Sequence, residues 1–316
     1  MNLVEALTIK KHLEREFLTK RYNITKSAGL LEGFEVQTYV MPDDVVNGIG
    51  IGYGGDRDAY RIELMVRKKT KVKTTSLASF FAISPQDIRV TYAGEISSLQ
   101  ATARHRPAFP GVSIGHYKGA TGSFGCLAMD EERRLYIVSN NHVLANLNSA
   151  SLGDEILQPG PADGGTRKDD VIARLFGYVP LDFQGLNRVD AALAEPVDYS
   201  DVLPANPWVG SVEGTAVARI NSRVMKFGRT TGLTIGVVQA RNATIKVNMG
   251  KSIALFEDQI VVKGAKGRFS DNGDSGALLL DMSRHAVGLL FAGSSSGLTF
   301  ANPIEDVLTC LGVEIL

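Results

Sequence analysis

Cysteine is scarce in this chain: 316 residues hold two, Cys126 and Cys310, far apart and in no Cys-x-x-Cys or Cys/His array. That excludes a zinc ribbon and a disulfide-stapled scaffold. Net charge is missing as well. Thirty-four Lys and Arg balance 34 Asp and Glu, so nothing global argues for nucleic acid, a membrane surface or an acidic ligand. No run approaches the roughly eighteen consecutive apolar residues of a membrane helix. The first residues, MNLVEALTIKKHLEREF, carry acids early and lack an apolar stretch ending in a small-residue cleavage site. They do not form a secretory signal, and a cytoplasmic protein is expected. What the chain does have is glycine, 33 residues against 7% aromatics, and a 44% apolar content. The first points to many turns and β structure, the second to a sizeable core.

Along the chain, residues 1–26 read as a helix, because Leu3, Leu7, Ile9, Leu13, Phe17 and Leu18 recur near helical spacing. Such a helix packs on the next domain or, in the sharper reading, docks a partner. From 34 to 99, Phe34–Val40, Tyr60–Val66 and Ile88–Tyr92 read as short strands of a small α+β unit. Within it, Gly50-Ile51-Gly52-Tyr53-Gly54-Gly55 matches G-x-G-x-x-G. A strand follows where a dinucleotide site needs a helix N-terminus, so a glycine-rich strand and turn is expected. The basic run Arg67, Lys68, Lys69, Lys71, Lys73 reads as a solvated strand end, and no nucleic-acid partner is expected. The two prolines of Arg104–Pro110 suggest a linker.

After the linker, short strands alternate with glycine turns, the clearest at Tyr136–Val138, Val171–Leu175, Ala191–Ala194, Val237–Ala240, Gln259–Val262, Ala277–Leu280 and Ala286–Phe291. A helix at Pro303–Leu311 closes the chain. This texture suits antiparallel barrels in series.

Three segments carry chemistry. Asn272-Gly273-Asp274-Ser275-Gly276-Ala277 precedes the apolar run Leu278–Leu280. Flanking glycines permit the tight turn that exposes a serine hydroxyl and leaves neighbouring N–H groups free for an oxyanion. Ser139-Asn140-Asn141-His142-Val143 follows a strand and offers a base suited to neutral pH. Among the five histidines, His116 is its main competitor. Asn187-Arg188-Val189-Asp190-Ala191 places a carboxylate at the start of an apolar strand, where it orients an imidazole. Asp170, Asp182 and Asp198 compete on composition alone.

The chain order His, Asp, Ser is that of the chymotrypsin template and differs from the subtilisin and α/β-hydrolase orders. With these motifs the chain resembles the trypsin or chymotrypsin-like serine proteases. Lys226-Phe227-Gly228-Arg229-Thr230-Thr231-Gly232 is similar to the G-R-T-T-G segment of α-lytic-type enzymes. The stretch Gly111–Ala194 is similar to a bacterial group related to the plant Narrow Leaf proteins, which also carries a small N-terminal domain.

The resemblance implies a mainly β fold: two antiparallel six-stranded barrels with a C-terminal helix, preceded by a small α+β domain. The barrels would span about 106–200 and 201–316, after an accessory domain over 1–105. It implies Ser275 as nucleophile, His142 as general base and Asp190 as its orienting partner. The N–H groups of Gly273 and Ser275 would form the oxyanion hole, supported by an Arg229–Asp274 ion pair. Phe269, Phe291, Ala292 and Gly293 would line the pocket for the residue before the cleaved bond, and no acid among them favours Lys or Arg there. Val143 stands where secreted trypsins carry a cysteine, in keeping with a reducing compartment.

The function expected is a regulated serine endopeptidase acting on a protein or peptide, without metal or cofactor. The alternative is a catalytically silent trypsin-fold binding or scaffolding protein. The N-terminal domain is expected to receive a regulatory partner, and a homo-oligomer is left open.

Overall fold

The computed structural model describes residues 1–15, 46–54, 59–67, 74–93, 100–250 and 252–316. The expectations for Phe17, Leu18, Phe34–Val40 and the lysines of the basic run lie outside the described residues. The chain divides into two compact units, Met1–Ser98 and Leu99–Leu316.

In the first unit, helix α1 (Leu3–Leu13) starts at a capping box. Asn2 Oδ1 accepts from Glu5 N at 2.9 Å, and Asn2 N donates to the Glu5 carboxylate at 3.0 Å. The helix buries Ala6, Ile9 and Leu13. The same cluster holds Ile62 and Leu64 of a three-stranded sheet, β1 (Val46–Tyr53), β2 (Tyr60–Val66) and β3 (Ile88–Tyr92). β1 and β2 are antiparallel, β2 and β3 parallel. A short helix, α2 (Thr74–Phe80), adds Leu77 and Ala78 to the core. Gly48, Gly50 and Gly52 lie on strand β1, where Gly48 and Gly50 pack against Met65, and the next element among the described residues is strand β2. This is an α+β unit.

The second unit opens with the expected linker, and there the expectation fails. Ala108, Phe109 and Pro110 are buried. Ala108 N donates to Asp201 O and Leu203 N donates to Ala108 O, each at 2.7 Å. The amide of buried Gln158 accepts from His105 N and donates to Ala103 O. Proline blocks regular structure here, but every polar group that finds a partner ties the segment down.

Eight strands follow in one curled sheet: β4 (Ser113–His116), β5 (Thr121–Ser123), β6 (Cys126–Met129), β7 (Leu135–Ser139), β8 (Glu155–Leu157), β9 (Val171–Tyr178), β11 (Ala192–Pro196) and the C-terminal β18 (Glu314–Ile315). Their order is β18-β6-β7-β11-β9-β8-β4-β5. Val112, Ile114, Ile137, Ile156, Ile172 and Leu175 fill the interior.

A second sheet contains β12 (Arg223–Gly228), β13 (Gly232–Asn248), β14 (Ile253–Gly264), β15 (Leu278–Asp281), β16 (Ala286–Gly293) and β17 (Leu298–Pro303), with β10 (Leu186–Asn187) alongside β14. Pairing of β14 with β17 closes the six strands β12–β17 into a barrel. Val224, Val238, Val262, Phe269 and Leu279 pack inside it.

Helix α4 (Ile304–Leu311) matches the expected C-terminal helix and ends at Gly312, φ +68°. Its Ile304, Val307 and Leu308 join Val138, Leu193, Leu278 and Leu289, residues drawn from both sheets. The expected mainly β architecture with a closing helix is what the chain adopts, but the first sheet is a curled sheet of eight strands, not six, with the C-terminal β18 added onto β6. No described helix is long and apolar enough to cross a membrane.

Candidate active site

His142 sits on a four-residue helix, α3 (Asn141–Leu144), at the end of β7. The helix is too short to hold itself. Val143 and Leu144 anchor it in the first barrel's core. Asn141, fully buried, and Asn148 bridge: Asn141 Nδ2 donates to Asn148 Oδ1 at 2.7 Å, and Asn148 Nδ2 donates to Leu181 O at 2.8 Å. Asn146, Leu147 and Asn148 all have positive φ, from +46° to +66°. Such a run is tolerated because the side-chain amides fix the turn, in a chain without a disulfide at this loop. No sequence pattern announces the Asn141–Asn148 bridge.

Asp190 is fully buried. Its Oδ2 accepts from His142 Nδ1 at 2.5 Å and its Oδ1 from His142 N at 3.1 Å. One carboxylate therefore fixes both ring and backbone, leaving Nε2 as the ring nitrogen with a free lone pair. Barrel two holds Asp190 in turn. Asn302 Oδ1 accepts from Asp190 N at 3.0 Å, and Asn302 Nδ2 donates to buried Gln259 Oε1 at 2.7 Å. Asn302 and Gln259 were not legible in the sequence as site residues.

Ser275 follows Gly273 (φ +96°) and precedes Gly276 (φ +90°). The turn is bound to the first barrel: Ser123 N donates to Ser275 O at 2.7 Å. At Gly122, Ser275 O and the Val143 side chain approach so closely that a Cβ would meet both at 2.6 Å. The serine turn and the histidine helix thus meet across Gly122. Ser275 Oγ donates to Phe291 O at 3.4 Å, and no hydrogen bond joins it to His142 among the described residues. Among the described residues the Gly273 and Ser275 amides donate to no protein acceptor, as free oxyanion donors must.

The rival groups are occupied. His116 is buried, with Nε2 3.1 Å from Asp154 Oδ2 and Nδ1 accepting from Lys118 N. Asp170 binds Arg104 and Thr166, Asp182 caps its own turn, and Asp198 caps Ser200. Burial pushes the Cys126 thiol up to about 12, which removes it as a nucleophile.

Two expectations need correction. Arg229 does not pair with Asp274. Its guanidinium forms a fork with Asp163 of the turn Pro161–Asp163, Nε to Oδ2 at 2.6 Å and Nη2 to Oδ1 at 2.5 Å. A planar fork matches a carboxylate with both oxygens free to receive it, and those of Asp274 are taken. Asp274 Oδ1 accepts from Thr230 N and Thr231 N, and Oδ2 from Thr231 Oγ1 and Asp271 N. Its cation is Lys226, 3.5 Å away, with neither side chain exposed. Arg229 still touches the serine turn, because Nη1 donates to Thr230 Oγ1, which donates to Asn272 O.

The second correction concerns Phe269. It is fully buried in the second barrel's core and presents no surface to a ligand. Phe291 and Ala292 pack with Phe256 and Leu181 instead, and Gly293 is exposed. A hydroxyl pair beyond the sequence reading, Ser270 Oγ and Thr299 Oγ1 at 2.6 Å, lies beside Gly293.

Burial alone raises the Asp163 carboxyl, but hydrogen bonds from Arg229 and Ser113 outweigh it and hold it below its ordinary value. The pair's stabilisation is therefore complete above the unfolded carboxylate pKa and lost as pH falls through the depressed one. Arg229→Ala is expected to destabilise the second unit by about 2 kcal/mol, less than a fully buried pair because both side chains keep some solvent contact. Urea titrations of Arg229→Ala, Asp163→Ala and the double variant check this: non-additivity marks the pair, and additive losses contradict it.

The fold is that of the chymotrypsin-like serine proteases, which the chain resembles. The likeness in fold extends to a glutamic acid-specific serine protease that uses a histidine triad in substrate binding: 21% identity, 66% of this chain, 100% of the other and TM-score 0.50. A Nocardiopsis protease and Thermobifida fusca protease A each show 19% identity over 66% of this chain and 97% of theirs, with TM-score 0.48. More narrowly, residues 210–299 match the Nal1 C-terminal domain family, in keeping with the Narrow Leaf resemblance.

Proposed function

We propose that this protein is a serine endopeptidase that hydrolyses peptide bonds through an acyl-enzyme, with Ser275 as nucleophile, His142 as base and Asp190 as orienting carboxylate. One observation carries the reading: a fully buried carboxylate spends both oxygens on His142, beside a serine turn whose two amides are free. Pure binding has no need of that expense.

In the proposed reaction the peptide carbonyl enters beside Ser275. Oγ turns from the Phe291 carbonyl and attacks, passing its proton to His142 Nε2. The Gly273 and Ser275 amides receive the oxyanion, and collapse expels the amine, which takes the proton from the imidazolium. Water, deprotonated by His142, releases the acid by the reverse path. Serine–base hydrogen bonds are often long without substrate, and the 3.4 Å bond to Phe291 suits a nucleophile that must rotate.

Partly exposed Ala292 and exposed Gly293, next to the Phe291 carbonyl that faces Ser275, would receive the side chain before the cleaved bond. With no carboxylate there, a neutral or apolar residue is proposed. Two free cysteines, one of them exposed, suit a reducing compartment and an intracellular substrate. Regulation through the first unit is proposed because unrestrained proteolysis would damage the cell.

Incubation with a mixed peptide library, products read by mass spectrometry, tests the proposal. Cleavage by the protein and none by Ser275→Ala supports it. The lack of a Ser275–His142 hydrogen bond among the described residues favours the second reading, a silent trypsin-fold binding protein, and an uncleaved library would select it.

A further inference from the structure

Lys226 is the least expected residue in the barrel. It lies on β12, is 0% exposed, and is among the largest fully buried side chains in the chain. Burial of an ammonium demands a full set of acceptors. Nζ donates to Thr231 Oγ1 at 2.5 Å and to Gly232 O at 2.9 Å, stands 3.5 Å from Asp274 Oδ2, and lies 5.7 Å over the Phe269 ring. Asp274 sits between the two amides proposed as the oxyanion hole.

We infer that Lys226 is the positioning residue of the oxyanion loop: its buried ammonium holds the Asp274 carboxylate, and through it the Gly273 and Ser275 amides. The inference rests on the protease reading above. Four donors from Thr230, Thr231 and Asp271 surround the carboxylate, but among the described residues only Lys226 neutralises it. A buried carboxylate stripped of its counter-charge is strongly unfavourable, and a surface turn is the element free to move. Loss of the ammonium therefore releases the loop.

The geometry has a pH consequence. Burial lowers the Lys226 ammonium from 10.5 to about 8, with Asp274 offsetting only part of the loss. Among the described residues no other charge faces the ammonium. Among neighbouring charges, Asp271 turns out to Arg268 and Arg229 is committed to Asp163. Loop order is then complete below about pH 8 and declines above it. The lysine's contribution to global stability runs the other way, full above its unfolded value and lost as pH falls through about 8. Alkaline loss of activity thus comes without unfolding from this source.

Two readouts on the whole chain test the inference, one of them independent of activity. The first is the rate of fluorophosphonate labelling at Ser275 from pH 6 to 10. The wild type is expected to slow about tenfold per unit above pH 8, and Lys226→Arg, which keeps its charge, to lose that limb. Lys226→Met is expected to label about 10²–10³-fold more slowly at pH 7, the cost of a lost oxyanion donor. The second is hydrogen exchange of the Thr230, Thr231 and Asp274 amides, corrected for intrinsic rate. Protection should fall above pH 8 in the wild type and at all pH values in Lys226→Met. If Lys226→Met does not fold, Lys226→Met/Asp274→Asn, which leaves no unpaired charge, takes its place and should show no alkaline step. An alkaline step that persists in Lys226→Arg, or unchanged protection in folded Lys226→Met, overturns the inference. Absence of labelling with protection behaving as described overturns the protease reading and leaves the tether standing.

Discussion

Asp190→Asn is expected to lower kcat by about 10⁴-fold while leaving the fold in place. The size follows from what the carboxylate does. Both oxygens accept from His142, one from the ring Nδ1 at 2.5 Å and one from the backbone amide at 3.1 Å. An asparagine keeps the shape but offers one acceptor and one NH₂ donor. If the oxygen stays on the backbone amide, the NH₂ faces the ring and selects the tautomer with its proton on Nε2, where a proton acceptor is needed. The flipped amide keeps the ring tautomer but sets its NH₂ against the His142 N–H. In either arrangement the buried site can no longer stabilise an imidazolium. Little should change in stability, because Asn302 and Asn140 hold the residue through its backbone N–H and C=O. Peptide hydrolysis measured beside thermal melting separates the effects. A variant within tenfold of wild-type kcat would mean that His142 is not oriented by Asp190 during turnover.

Gly273→Ala is expected to cost about 10²–10³ in kcat, the loss of one oxyanion donor, with little change in substrate binding. Two features combine at this residue. Its φ of +96° is one an L-residue rarely adopts. A methyl group there would also run into the Arg229 guanidinium and into Thr230 Oγ1, the latter at 2.6 Å. The guanidinium is fixed by its fork to Asp163 and cannot swing aside cheaply. The turn itself must give, and its N–H leaves the position facing the substrate oxygen. Removing the obstruction with Gly273→Ala/Arg229→Ala should recover part of the loss, and no recovery would place the whole effect in the backbone. Kinetics at saturating substrate read both variants.

The sequence spoke clearly where local chemistry decides the structure. Strand cores such as Tyr136–Val138 and Ala286–Phe291 carry enough apolar and β-branched residues to be found singly, and Pro303 with Gly312 brackets α4 at both ends. Glycines on either side of Ser275 mark a turn whose positive φ values only they adopt freely. Less was legible where long-range contacts decide. Arg229 was expected to pair with Asp274 because its segment resembles the G-R-T-T-G of α-lytic-type enzymes, yet Asp163, remote in sequence, takes its fork. Lys226 opens the segment that resembles G-R-T-T-G and drew no role in the sequence, because only barrel closure shows that its side chain is fully buried. Phe269 was placed by counting back from the serine, and counting cannot tell a pocket wall from a core residue. The length of β13 was missed because its outer half alternates exposed residues such as Arg241, Thr244 and Lys246 with partly buried ones, a pattern with no apolar run to signal it.

The central claim is that His142, Asp190 and Ser275 work as one unit, and a fluorophosphonate probe with mass-spectrometric mapping tests it most directly. The reagent reacts with a serine whose hydroxyl is activated by a base and whose oxyanion donors are in place. The account predicts a single adduct at Ser275, absent from Ser275→Ala and strongly slowed in His142→Ala. A folded wild-type protein with no adduct at neutral pH, or with adducts at other serines that survive both substitutions, would contradict it.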